Sequence, residues 1–519
     1  MHRKGNALLS IEILTEILHL LQEKDYYHHL FTAASVCRLW NQIATPFLYY
    51  RLSVSRISTM RLLARTLSAE QGHHRYCELV REVDLSCVSQ THDIKGEDVF
   101  WLESLRGLER ANLMFCPVDD ELLDALATNS PGLLELRCFN NSRLTGRGLR
   151  ALARKCKRLE RLSLGDCLQV KGCDITEVVS STEVRELELL SVNWLEDTSL
   201  LSIASARGPM LTRVHLWECR ELSDDVVIAF VHACPNLRSV VFRHSRRLTD
   251  RAIVALASCT QLESFGIGGI EGVTSKSLGE VVSKTRLRSL DFDLSTPVED
   301  FDFLSHAKEV EWLRMNVSCT PHPDDALLQL ARSNPPLKTL HLLNSAFTDD
   351  ALAAMCFCTN LHTLGLYRCQ KVTSRSLSTL TPRLHELIIV GCEGINQIKD
   401  MVKRASDLST FNLQSDMEMS AEELITLVDE CPRLERLTLP SIERIPVDCA
   451  LRSLSKLKNI RSLRLDLTPF TPSDVMNLIS LLPNLRDLHL SETENLSLDY
   501  PGWGQRPRPL VRIGEMILE

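Results

Sequence analysis

A six-position apolar pattern, L-x-x-L-x-L, recurs along most of the chain, as in Leu159–Leu164 and Leu434–Leu439. Counting degenerate copies, 17 repeats begin at positions 79, 108, 133, 159, 184, 211, 237, 262, 287, 310, 337, 361, 384, 408, 434, 460 and 485. Alternation of apolar and polar residues predicts a short strand in each repeat. A capping residue followed by helical periodicity, as in Ser223-Asp224-Asp225, predicts a helix after the strand.

One strand with one helix cannot bury its own apolar face, so units of this period stack on one another. We therefore predict an α/β fold: a leucine-rich-repeat solenoid of about 17 units over residues 79–495, with a parallel sheet on the concave face and helices on the convex face. Prolines at 297, 321 and 323 interrupt the pattern. The segment 440–450 is a second departure. Both stretches, 287–336 and 440–450, predict irregular loops or a local change in curvature of the solenoid.

The 18 cysteines follow the same register. Eight residues after a repeat start, where the chain turns out of its strand, stand Cys87, Cys116, Cys167, Cys219, Cys369 and Cys392, and three residues before the next start stand Cys156, Cys234, Cys259, Cys358 and Cys431. Packing therefore accounts for most of them. With a turn such as Cys219-Arg-Glu-Leu-Ser-Asp224, residues 79–490 resemble the cysteine-containing subfamily of leucine-rich repeats.

Ahead of the repeats, residues 12–22 have the periodicity of an amphipathic helix. Their apolar side chains cover an arc of about 160° at about 100° per residue. A module of about 45 residues buries only part of such a surface by itself. We expect the remainder of the arc to meet a partner or the solenoid.

The stretch Leu9–Leu21, together with Val36-Cys-Arg-Leu-Trp40 and the residues up to Tyr50, resembles an F-box. The family pattern begins Leu-Pro, whereas this chain has Ser10, which can cap the helix instead. The resemblance implies docking to the adaptor of SCF-type cullin-RING ubiquitin ligases. The apolar positions that it assigns to docking are Leu9, Ile13, Leu14, Ile17, Leu18, Val36, Cys37 and Trp40, some of which must instead form the core of the module.

The chain thus divides into an F-box at 7–50, a transition segment with a degenerate strand and helix at 51–78, the solenoid at 79–495, and a tail at 496–519. The transition segment has no Pro/Gly-rich linker, which predicts a rigid connection. The tail contains a stretch rich in proline and glycine at 501–509, which predicts irregular structure.

Strand alternation places the residues two, four and six positions after each repeat start on the concave face. Tryptophan and arginine there are the residue types that most often carry binding energy. The candidates for target binding are Arg161, Arg213, His215, Trp217, Arg243, Trp312, Arg314, His341 and Tyr367. Two alternatives remain open: the large side chains fill space between strands, and the arginines pair with Glu135, Glu186, Glu188 and Asp291 on neighbouring strands.

Composition narrows the function. A net charge of -8 disfavours nucleic-acid binding, and no secretory signal or membrane span is expected, so we predict a cytoplasmic or nuclear protein. No catalytic motif, metal site or cofactor site is predicted. The leading hypothesis is the target-recognition subunit of an SCF ubiquitin ligase, with adaptor, cullin, RING subunit and a target protein as partners. A scaffold without ubiquitin transfer is the alternative.

Overall fold

The computed structural model describes residues 10–23, 27–54, 57–68, 75–86, 88, 94–192, 195–294, 296, 298, 300–377, 383–403, 405–491, 510–513 and 516–518. The chain forms two compact units, residues 1–222 and 223–519. Leu9 and Cys87 lie outside the described residues, as does the tail segment 492–509.

The first unit opens with three helices and continues as strands that alternate with helices. Its helices are α1 Ile11–Glu23, α2 Tyr27–Ala34, α3 Arg38–Tyr50, α4 Ile57–Ser68, α5 Gly96–Val99, α6 Asp120–Asn129, α7 Gly146–Lys155, α8 Gly172–Ser181 and α9 Asp197–Arg207. Its strands are β1 Arg51–Ser53, β2 Glu82–Asp84, β3 Arg110–Asn112, β4 Glu135–Phe139, β5 Arg161–Gly165, β6 Glu186–Leu190 and β7 Arg213–Trp217. These strands pair in chain order and run parallel.

The second unit repeats this scheme. Its helices are α10 Asp224–Ala233, α11 Asp250–Ala255, α12 Ser275–Lys284, α13 Asp324–Ser333, α14 Asp349–Ala353, α15 Ser374–Leu377, α16 Lys399–Val402, α17 Ala421–Glu430, α18 Val447–Leu454 and α19 Pro472–Leu481. Its strands are β8 Ser239–Arg243, β9 Ser264–Gly268, β10 Ser289–Asp293, β11 Trp312–Asn316, β12 Thr339–Leu343, β13 Thr363–Tyr367, β14 Glu386–Val390, β15 Thr410–Gln414, β16 Arg436–Leu439, β17 Ser462–Asp466, β18 Asp487–Ser491, β19 Leu510–Ile513 and β20 Met516–Leu518. Strands β8 to β19 are parallel neighbours in chain order.

The predicted leucine-rich-repeat solenoid is confirmed. Every strand from β3 to β18 begins two residues after a predicted repeat start, and β2 begins three residues after the start at 79. Along each strand the leucines alternate inward into the layer between sheet and helices, as Leu162 and Leu164 do in β5. The other side chains point away from the helices, and we call this side of each sheet the open face.

The turn after most strands has a left-handed backbone. Positive φ angles occur seven residues after the repeat start at Phe115, Asn140, Asp166, Ser191, Glu218, His244, Gly269, Asn344, Arg368, Gly391 and Leu467. The next residue is a buried cysteine in five repeats, and in four of them its thiol contacts a backbone carbonyl, as from Cys392 Sγ to Leu366 O at 3.6 Å. The cysteine register predicted from the sequence therefore marks the turn out of the strand.

Replacing Phe115 by asparagine should stabilise this turn. Phe115 has φ 59° and a side chain that is 47% exposed. Its left-handed backbone is therefore strained, and burial of the ring offsets little of that strain. The strain costs about 1–2 kcal/mol for an ordinary L-residue, and Asn140 and Asn344 occupy the same position in other repeats. We expect Phe115→Asn to raise the urea midpoint, with Phe115→Leu unchanged as the matched control. Equal midpoints for the two variants would contradict the strain argument.

A threonine–aspartate ladder links successive helices on the other side of the sheet. The first residue of a helix is aspartate, and its carboxylate accepts hydrogen bonds from the backbone N–H and the hydroxyl of a threonine one repeat later. The pairs are Asp120 with Thr145, Asp224 with Thr249, Asp250 with Thr274, Asp324 with Thr348 and Asp349 with Thr373. The capping residues found in the sequence therefore also join neighbouring repeats.

Removing one carboxylate of this ladder should cost stability in a pH-dependent way. Burial alone would raise the pKa of Asp349, but hydrogen bonds from Thr373 outweigh it, and the pKa is lowered from 3.8. The stabilisation is therefore complete above pH 3.8 and is lost as pH falls through the lowered pKa. We expect Asp349→Ala to lose about 1–2 kcal/mol at neutral pH. The difference in the free energy of unfolding between variant and wild type, measured with urea, should become smaller in acid. Asp350→Ala, at an exposed position, should leave the free energy of unfolding unchanged.

Two segments differ from a regular repeat. Between β10 and β11 the helix is replaced by the short 3-10 helix Asp302–His306, in the stretch where prolines predicted irregular structure. Phe303 fills the space beneath it, with its ring edge-on to Phe292 at a centroid distance of 5.4 Å. At the C-terminus, the tail predicted to be irregular contains β19 and, antiparallel to it, β20. Both strands lie beyond the proline-rich stretch, in short runs of β-forming residues.

Candidate functional site

The N-terminal helices α1, α2 and α3 pack around a small core of Leu14, Leu18, Leu30, Ala33 and Ala44. Trp40 is partly buried against the same core. Ser10 caps the first helix, since its hydroxyl accepts from the Ile13 N–H at 3.3 Å. Of the predicted docking positions, the structure therefore places Leu14, Leu18 and Trp40 in the core of the module.

The same helices leave large apolar side chains in solvent. They include Ile11 at the start of α1. The others are Ile13, Ile17 and Leu20 on α1, Phe31 on α2, Val36 in the connecting turn and Leu39 on α3, and we call these six residues the docking face. Ile13 is 52% exposed, whereas its neighbour Leu14 is 2% exposed. Cys37, between Val36 and α3, is exposed as well. Leu20, Phe31 and Leu39 were missing from the sequence prediction, although Leu39 lies inside the Val36–Trp40 segment.

The module joins the first repeats without a linker. Helix α3 ends at Tyr50, and β1 starts at Arg51 and pairs with β2. The Tyr50 carbonyl accepts from the Arg81 N–H at 2.8 Å, and Tyr49 stacks on Tyr76 at a centroid distance of 4.6 Å. The docking face therefore has a fixed position relative to the neighbouring sheet.

On the open face of the first unit, charges alternate from strand to strand. The residues at the first position of β1 to β7 are Arg51, Glu82, Arg110, Glu135, Arg161, Glu186 and Arg213, which we call the charge ladder. Arg161 Nη1 lies 3.0 Å from Glu135 Oε2, and Arg213 Nη1 lies 2.6 Å from Glu186 Oε2. Arg161 and Arg213, candidates for target binding, are thus paired within the sheet.

The remaining candidates of this unit lie beside the ladder. His215 Nδ1 is 3.5 Å from Glu188 Oε1. Burial lowers the pKa of His215 to about 4, although Glu188 acts in the opposite direction, so the imidazole is neutral near pH 7. Trp217 stands at the end of β7 with 38% of its surface exposed.

In the second unit, Arg243 is almost completely buried on the open face. Its guanidinium crosses β9, where Gly266 and Gly268 have no side chains, and pairs with Asp291 on β10. A Cβ atom at Gly268 would lie 3.1 Å from Arg243 Nη1. Arg314 Nη1 approaches the same carboxylate from β11, 3.3 Å from each oxygen. Arg243 is therefore largely inaccessible to a partner, whereas Arg314 remains partly exposed.

Three aromatic rings form a diagonal across β11, β12 and β13. Trp312 and His341 have a ring-centroid distance of 5.9 Å, and His341 and Tyr367 one of 5.8 Å. His341 lies over Gly365, where a Cβ atom would be 2.3 Å from its Nδ1. Burial lowers the pKa of His341, so this ring is uncharged near neutral pH. The structure therefore brings the candidates Trp312, Arg314, His341 and Tyr367 together.

The buried cysteines differ in acidity: hydrogen bonds from Cys369 lower the pKa of Cys392 to about 7, whereas burial acts in the opposite direction on most of the others. Burial raises the pKa of Cys116, Cys219, Cys234 and Cys431 to about 12, so these thiols stay protonated. Among the described residues there is no group of three or more His, Cys, Asp or Glu side chains that could hold a metal ion. Within the same residues, no helix has the length and apolar character needed to cross a membrane.

Residues 11–55, which include the docking face, match the model of the F-box-like family. The chain carries an F-box-like domain followed by a leucine-rich-repeat solenoid. This match covers the N-terminal part of the chain alone.

Two curated relatives illustrate the likeness. The chain is 24% identical over 284 residues to DNA repair protein rhp7 of Schizosaccharomyces pombe, covering 52% of this chain and 46% of that protein. It is 32% identical over 142 residues to antagonist of mitotic exit network protein 1 of Eremothecium gossypii, covering 26% and 36%. The chain thus spans less than half the length of these relatives.

Solved structures include Rad7 in the yeast complex of Rad7 and Elc1. It is 14% identical, covers 76% of this chain and 83% of its own, and has a TM-score of 0.43. An internalin from Listeria monocytogenes is also 14% identical, covers 76% of this chain and 88% of its own, and has a TM-score of 0.31.

Proposed function

We propose that this protein is the target-recognition subunit of a cullin-RING ubiquitin ligase of the SCF type. The docking face of the F-box-like domain binds the adaptor subunit, and through the adaptor the cullin and RING subunits. The open face of the solenoid binds a target protein. Ubiquitin transfer takes place on other subunits, so this chain itself is not an enzyme and needs no cofactor.

The observation that carries the proposal is the exposure of the docking face on a module with its own core. Monomeric proteins rarely expose this many large apolar side chains together unless a partner covers them. The direct connection from α3 to β1 supports the receptor role, because a fixed connection holds a target at a set distance from the adaptor.

The adaptor is tested by co-expressing the full chain with an SCF-type adaptor, or separately with an elongin-type adaptor, followed by affinity purification and size-exclusion chromatography. We expect the SCF-type adaptor to co-elute with the chain. Co-elution of the elongin-type adaptor alone would retain the receptor role but overturn the SCF assignment. If neither adaptor is retained, the proposal fails.

Measuring the turnover of the bound target distinguishes a receptor from a scaffold. Deletion of this chain in cells should lengthen the half-life of its bound target if it is a receptor, whereas a scaffold leaves the half-life unchanged.

We propose the cytoplasm or nucleus as its compartment, since all 17 described cysteines are free, as is usual in reducing compartments. The likeness to a DNA repair protein favours the nucleus.

A further inference from the structure

An apolar area lies on the open face of the second unit. It consists of Trp312, His341, Leu343, Tyr367, Ile388 and Val390 on β11 to β14, which we call the aromatic patch. All six side chains are partly exposed. Polar residues border it on both sides, with Ser289, Asp291 and Asp293 on β10 and Thr410, Asn412 and Gln414 on β15.

The strand register makes the patch continuous. Leu343 lies opposite Tyr367, and Tyr367 lies opposite Val390. At the third position of β12, β13 and β14 lie His341, Gly365 and Ile388. The His341 ring covers the space that the missing side chain of Gly365 leaves. Tryptophan and tyrosine within a desolvated area are the residue types that most often anchor a bound protein. Since His341 is neutral, the rings of the diagonal themselves carry no charge, and Glu386 on β14 lies near enough to act electrostatically on His341 and Tyr367.

One cationic group stands at the edge of this patch. Arg314 follows Trp312 on β11 and lies in register with His341 on β12. Its contacts with Asp291 use Nη1 only, at 3.3 Å, while Arg243 holds the same carboxylate more closely. Among the described residues, Nε and Nη2 of Arg314 have no partner. A guanidinium with two free nitrogens is suited to a carboxylate, which it binds in a bidentate manner.

The distances fit one extended segment. Neighbouring strands lie about 4.8 Å apart, so a group bound by Arg314 and a side chain packed on the His341 ring are close neighbours. Side chains two residues apart on an extended chain point to the same side at a distance of about 6.7 Å. An acidic residue and an apolar residue in this spacing would reach Arg314 and the aromatic patch together.

We propose that the aromatic patch and Arg314 form the target-binding site, and that they recognise an extended segment of the target with a large apolar residue two positions from an Asp or Glu. The inference rests on the proposed receptor function and specifies its target chemistry. The charge ladder of the first unit, whose arginines are already paired, takes no part in this recognition.

The test uses the full-length chain immobilised against a phage library that displays short randomised peptides internally. Enriched peptides are resynthesised with a fluorescent label, and their binding is measured by anisotropy. We expect enrichment of sequences with an aromatic or large aliphatic residue two positions from Asp or Glu. Arg314→Gln should weaken their binding about tenfold or more, the loss of one charge-assisted pair. The matched control Arg110→Gln, on the charge ladder, should leave binding unchanged.

A double-mutant cycle distinguishes the loss of the Arg314 contact from a folding defect of the variant. Changing the peptide acid to its amide should weaken binding to the wild type but not to Arg314→Gln. No enrichment, equal losses on both proteins, or binding only after the acid is replaced by phosphoserine would overturn the proposal. Adaptor co-elution is measured on the same preparations. If the adaptor binds and the peptides do not, only this inference fails, and if the adaptor does not bind, the proposed function fails independently of the peptides.

Discussion

A chain with both Ile13→Glu and Ile17→Glu should lose its adaptor while remaining folded. The two side chains lie one turn apart on α1 and are exposed, at 52% and 40%, so a charge at either position meets water in the free protein. In a complex they would be buried, and each position of this kind costs about 2 kcal/mol or more when lost. We expect affinity for the adaptor to fall about a hundredfold or more, as measured by calorimetry with purified adaptor.

The controls separate docking from folding. Leu168→Glu places a charge on a leucine that is 75% exposed and far from the F-box-like domain in sequence, and it should bind the adaptor normally. Leu18→Ala removes a core side chain of the same helix and should unfold the module, at a cost of about 2–5 kcal/mol. Normal adaptor binding by the double variant would show that the docking face lies elsewhere.

Phe303→Ala should produce one of the largest losses of stability among single substitutions in the second unit. Phe303 is 2% exposed and packs edge-on against Phe292 beneath the 3-10 helix Asp302–His306. In the described residues between β10 and β11, this 3-10 helix takes the place of an α-helix, and we expect the neighbouring side chains to fill only part of the cavity. We expect a loss of about 3–5 kcal/mol, seen as a lower urea midpoint by circular dichroism.

Phe357 provides the matched control for this prediction. It also lies in a short 3-10 helix, Ala354–Phe357, but it is 66% exposed. Phe357→Ala should change the free energy of unfolding by no more than about 0.5 kcal/mol. If the two variants lost similar amounts of unfolding free energy, Phe303 would not be part of the core of the irregular repeat.

The repeat register could be predicted to the residue because each copy of L-x-x-L-x-L must place its leucines inside the sheet. A shift by one residue would turn Leu162 and Leu164 towards solvent. The role of Thr373 as a link between repeats could have been predicted, since an aspartate and a threonine recur 24 or 25 residues apart. A helix cap alone explains each threonine, however, and gives no sign of its bond to the preceding repeat.

The division of α1 could not be predicted. Leu14 and Leu18 belong to its core and Ile13 and Ile17 to its docking face, yet all four lie in one apolar arc of the sequence. Only the positions of α2 and α3 determine which side of that arc is covered. Similarly, the burial of Arg243 depends on Gly268 in the next repeat, and its own strand gives no sign of it.

The charge ladder also has a consequence for how the first unit folds. In a tandem array, a strand meets several near-identical candidates for its neighbour, and omitting one repeat is an accessible error. Because the sign alternates from Arg51 to Arg213, a strand that skips its neighbour would face a residue of the same charge. The alternation thus disfavours a misfolded sheet in which one repeat is skipped, because like charges would then face each other. Skipping two repeats would again bring opposite charges together.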